Sequence, residues 1–66
     1  MIRNHTFGLN AQQQPVVHIL LDASDDSSDY EREIELYMQQ LGCNDYSWVA
    51  EEKHHEHGAM TITYTI

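Results

Sequence analysis

Residues 59–66 alternate almost without a break. Met60, Ile62, Tyr64 and Ile66 fall on one side, and Thr61, Thr63 and Thr65 fall on the other. A two-residue period belongs to a half-buried strand, whose successive side chains point to opposite faces. Upstream the period changes: Tyr30, Ile34, Tyr37, Met38 and Leu41 recur at helical spacing and make one apolar stripe. A strand with one apolar face and a helix with one apolar stripe each need a cover, and each can cover the other. These two periods point to an α+β chain in which a helix lies across a sheet.

The rest of the chain supplies the other strands. Val16-Val17-His18-Ile19-Leu20-Leu21 is apolar on both faces, so residues 16–22 read as a central strand. Pro15 donates no ladder hydrogen bond and belongs at or before the first position of that strand. Residues 2–8 make a shorter strand around Thr6 and Phe7, joined to 16–22 as a hairpin through Asn10 and Gln12-Gln13-Gln14. In this hairpin His5 and His18 are expected to face each other. Tyr46, Trp48 and Ala50 alternate with Ser47, Val49 and Glu51 as a third strand, and Lys53 to Gly58 form the turn into the fourth. The helix is expected over 29–41. Ser28-Asp29-Tyr30-Glu31 matches a capping box, Asp25, Asp26 and Asp29 suit the positive end of the helix dipole, and Gly42 suits a left-handed stop.

The expected order is β-β-α-β-β: one small, mostly antiparallel four-stranded sheet with one helix packed on one face. Its other face, carrying Thr61, Thr63 and Thr65, is left for solvent, a partner or a second copy.

Sixty-six residues make a single domain, 1–66, near the lower size at which a chain folds without staples. Completing so small a core at a subunit interface makes a homodimer one of the expectations. The one cysteine, Cys43, has no intramolecular disulfide partner and reads as a small buried thiol, in keeping with a reduced, cytoplasmic setting. No run approaches the roughly 20 apolar residues of a membrane span, and Met1 to His5 lack the apolar core of a signal peptide.

Charge is the strongest functional indication. Eleven acidic residues face three basic ones, for a formal net charge of −8. Seven of the acids (Asp22, Asp25, Asp26, Asp29, Glu31, Glu33 and Glu35) lie within fourteen residues, with Arg32 their only cation. Such a segment repels nucleic acid and anionic membrane and attracts a basic surface. Carboxylates in a row also fit the Lys and Arg pockets that otherwise receive phosphates. The expectation is a non-enzymatic acidic interaction protein that binds a basic, nucleic-acid-binding surface of a larger protein. Its composition resembles that of phage- or plasmid-encoded inhibitors of CRISPR effectors, nucleases and restriction complexes, without a motif that assigns a family. Asp22, Asp25, Asp26, Asp29, Glu33 and Glu35 are the candidate contact residues. Leu36, placed among polar residues opposite Ile34, is a candidate apolar anchor.

Two further readings belong to other classes. In one, the chain is a homo-oligomeric accessory or regulatory domain joined through the open sheet face or the C-terminal strand, its acidity serving solubility. In the other, His54, His55 and His57, with Glu56, form a metal-binding loop, since imidazole suits zinc, nickel and copper. A tight loop does not readily aim them all at one ion, so no metal or other cofactor is assigned. Cys43 with a histidine, or Glu51 and Glu52 with His54, supply reactive residue types but no catalytic motif, and no catalytic residue is assigned. Arg3, Arg32 and Lys53 are too scattered to make a basic stripe for direct nucleic-acid binding.

Overall fold

The computed structural model describes residues 1–66 and contains the expected β-β-α-β-β order. The strands are β1 (Ile2–Leu9), β2 (Pro15–Asp22), β3 (Ser47–His54) and β4 (Ala59–Thr65), and the helix is α1 (Glu31–Gln40). All neighbouring strands are antiparallel, in the order β1-β2-β4-β3, so the chain's last strand enters the sheet between its second and third. The central positions go to β2 and β4, the two strands with the most apolar residues. β1 and β3 form the edges.

One side of the sheet builds the core. Val17, Ile19 and Leu21 of β2 lie beside Met60, Ile62 and Tyr64 of β4, and Ile34 and Met38 of α1 close over them. Tyr30, Tyr37 and Leu41 pack around this cluster, as the helical spacing requires. Ile34 and Met38 are fully buried, and each burial of that kind contributes about 1.5–3 kcal/mol. Burial also pushes the Tyr64 phenol up to about 12, because the ionised ring would lose its hydration.

The helix ends where Gly42 suggests. Gly42 is left-handed at φ 79°, its N–H donates to Gln39 O at 3.1 Å, and Cys43 N–H donates to Met38 O at 2.9 Å. These paired bonds make a Schellman stop and satisfy two otherwise orphaned carbonyls. Cys43 is half-buried against the core.

The helix start differs from the expectation. Ser27–Asp29 is a single 3-10 turn, and α1 begins only at Glu31, with Tyr30 in the cap position and no side-chain cap. Asp26 takes the Ser28 N–H at 3.0 Å, and Asp29 is held by the Ser24 hydroxyl, which donates to Oδ2 at 2.5 Å. The short polar side chains satisfy one another in a turn, which competes with the capping box.

His5 and His18 do not face each other. The register sets Thr6 opposite His18 and Ile19 opposite His5, so the two imidazoles lie on opposite faces. His5 shares a 2.6 Å hydrogen bond with the Tyr37 hydroxyl on the helix side. His18 shares one of 2.8 Å with Thr63 on the open side. β3 also runs further than expected, through Lys53 to His54, and a one-residue irregularity between Trp48 and Ala50 leaves Val49 unpaired.

Candidate functional site: the acidic turn and helix

The acidic segment leaves β2 at Asp22 and runs through the 3-10 turn into the first turns of α1. Its carboxylates divide by what they touch. Asp22 Oδ1 accepts from Arg3 Nε at 2.8 Å, and its Oδ2 accepts from the Met1 ammonium at 3.1 Å. The ammonium and the guanidinium together hold the Asp22 carboxyl below the usual carboxylate range, and Asp22 in turn raises the Met1 amine. Glu33 Oε1 accepts the Ile2 main-chain N–H at 2.5 Å and lies 3.7 Å from the Met1 ammonium. Asp26 is held below its ordinary value by the Ser28 N–H that it caps. Asp22, Asp26, Asp29 and Glu33 therefore each take part in the protein's own hydrogen bonding.

Asp25 and Glu35 are occupied differently. Asp25, with a side chain 97% exposed, pairs with the Lys53 ammonium on β3, which lowers the carboxyl and raises the amine. Glu35 lies 3.8 Å from Arg32, one turn back on α1. Every Lys and Arg is thus matched with a carboxylate of this segment, Arg3 with Asp22, Arg32 with Glu35 and Lys53 with Asp25, while the Met1 ammonium shares Asp22 and Glu33. Leu36 lies on the outer face of α1, 45% exposed.

The sheet adds a carboxylate that the linear segment does not contain. The charge of Glu51 on β3, with that of Glu31, adds to burial in raising the Tyr30 phenol. Glu51 is legible in the sequence as an acid but not as a neighbour of Tyr30, because that proximity depends on strand order.

The histidine loop does not assemble. His55–His57 is a 3-10 turn closed by Gly58 in the left-handed region at φ 59°, and three residues per turn fan successive side chains apart. His54 still belongs to β3, and its Nε2 is 2.8 Å from Thr61 Oγ1 on the open face. Lys53 to His57 line one open depression of about 350 Å³, yet no three His, Cys, Asp or Glu side chains gather as metal ligands. His54, His55 and His57 are thus not brought together as a ligand set.

No helix is long and apolar enough to cross a membrane. No family model, curated protein or solved structure matches this chain.

Proposed function

We propose that this protein is a non-enzymatic acidic interaction module that docks onto a basic surface of a larger protein, one whose cations otherwise hold nucleic-acid phosphates. The observation that carries the reading is the charge arrangement. Each Lys and Arg is matched with a carboxylate and the Met1 ammonium sits between Asp22 and Glu33, which leaves most of the eleven carboxylates with no internal counter-charge. Asp26 and Asp29 are fixed by Ser28 and Ser24, and a carboxylate already held in place loses less entropy on binding. Glu31 supplies exposed charge beside them, as do Asp25 and Glu35, whose solvent-exposed ion pairs are weak and readily exchanged for a partner's cations, with Leu36 as an apolar contact on α1. In the finer form of this reading, the partner is a nuclease, restriction complex or CRISPR effector, and the chain is a phage or mobile-element inhibitor that occupies its nucleic-acid groove.

The test is capture of a partner by the immobilised protein at low and high salt, followed by elution with duplex DNA. A partner held at low salt, released by salt and displaced by DNA supports the reading. So does its loss in the triple variant Asp25→Asn, Glu31→Gln, Glu35→Gln, none of which caps the turn. Retention that ignores both salt and the triple variant overturns it.

A further inference from the structure

We propose that β1 pairs with β1 of a second copy, making a two-fold dimer with a continuous eight-stranded sheet. The first twenty-one residues contain no Asp or Glu, and all eleven acids lie between Asp22 and Glu56. The fold turns this division along the chain into one across the sheet, since β1 and β3 form its opposite edges. The β3 edge carries Glu51 and Glu52 and is interrupted at Val49. Like charges and a bulge both discourage edge pairing. The β1 edge is regular from Asn4 to Leu9 and has no acidic residue of its own, the Glu33 carboxylate reaching only its start at the Ile2 N–H.

The open hydrogen-bonding groups on that edge follow from Pro15. Pro15 has no N–H and its carbonyl accepts from Ile66 N–H at 3.1 Å, on the β4 side. Its partner across the hairpin is Leu9, so Leu9 and Pro15 form a non-hydrogen-bonded pair. The two kinds of pair alternate along an antiparallel ladder. Phe7 and Leu9 therefore turn their N–H and C=O away from β2, toward the free edge. The His5 N–H, on the same side, is already taken by the Asn4 side chain at 2.8 Å. Phe7 and Leu9 are also the exposed apolar side chains of this edge, at 53% and 67%.

The charge distribution selects the occupant. A basic partner is drawn to the carboxylates of α1 and β3, whereas a second copy carrying −8 is repelled by them. Antiparallel pairing centred on Phe7 to Leu9 joins stretches that carry no acidic side chain, with Asp22 and Glu33 at the Met1–Arg3 end of each β1 and the acids of β3 on the opposite edge. Residual repulsion between the copies is screened by salt, so salt tightens the dimer while it weakens docking to a basic partner. The two proposals thus fail separately.

Sedimentation equilibrium across concentration, at low and high salt, tests this proposal. The expected mass rises to twice the 7.7 kDa of one chain, at lower concentration when salt is high. Phe7→Glu sets like charges near the two-fold axis and is expected to keep the single-chain mass throughout. Leu9→Glu does the same at a more exposed position, should Phe7→Glu fold poorly. Trp48→Glu on the opposite edge is expected to leave the dimer intact. Amide exchange is expected to slow at Phe7 and Leu9 only where the dimer forms. A single-chain mass at every concentration and salt overturns the proposal, as does growth beyond a dimer or loss of the dimer in Trp48→Glu but not in Leu9→Glu.

Discussion

The Ile2 main-chain N–H donates to Glu33 Oε1 at 2.5 Å, tying the start of the first strand to the first turn of the helix. Glu33 reads in the sequence as one more charge in an acidic run. In the fold it is a hydrogen-bond acceptor for a strand end. Replacing it with alanine is expected to cost about 1 kcal/mol, the usual net worth of such a bond. In a domain this size that lowers Tm by about 4–8 °C. Thermal unfolding by circular dichroism measures it, with Glu31→Ala, which lacks such a bond, as the unaffected reference.

Met38 is the helix's central contact with the sheet, with no exposed surface. Met38→Ala is expected to destabilise by about 2–5 kcal/mol, since a small core relaxes little around the cavity. Ten buried residues form the entire interior, so that loss is a large fraction of the stability of so small a domain. Urea unfolding is expected to show a much lower midpoint or no folded baseline.

Gly42 sits at φ 79° with nothing within 4 Å of where a Cβ would lie. Only backbone strain opposes a side chain there. Gly42→Ala is expected to cost about 1–2 kcal/mol, and Gly42→Asn less, because asparagine tolerates the left-handed region better. An equal loss for both would point to packing instead of backbone conformation.

Stability should fall at both ends of the pH range. The Asp22, Asp25 and Asp26 carboxyls are lowered in the fold. Their contributions are present above the ordinary carboxylate pKa of about 4 and are lost as pH falls through the depressed values. The Met1 amine is raised by Asp22. Its contribution is complete below the ordinary α-amino pKa of about 8 and is lost as pH rises through the raised value. These groups are exposed, so each effect is small. Urea midpoints between the two limits should form a plateau, and acetylating the amino terminus should lower the plateau and remove the loss that begins near its alkaline end.

Much of the architecture was legible because it is written in local periods. The Met60–Ile66 alternation and the Tyr30–Leu41 stripe identify a strand face and a helix stripe that bury each other, and Gly42 marks the stop. The capping-box pattern places the helix start too early, because Asp26, Ser24 and Asp29 satisfy one another in a 3-10 turn that the pattern does not exclude. The third strand extends past its apolar alternation because Lys53 and His54, though polar, pair with β4. They sit on an edge strand, where polarity does not argue against pairing.

The candidate surface was only half legible. The seven carboxylates between Asp22 and Glu35 are plain in the sequence. Their division into groups bound within the fold, such as Glu33 and Asp26, and groups free for a partner is not.

The sequence by itself determined the element types, the buried stripe and the concentration of acid in one segment, because each depends on neighbours a few residues apart. Tertiary structure alone decided that β4 enters between β2 and β3, and that His5 and His18 point to opposite faces. It also decided that Lys53 meets Asp25, and that the carboxylate-free strand lies at the edge opposite the acidic one. Those outcomes depend on strand order and register, which arise from burying all the apolar faces together and leave no signature within any single segment.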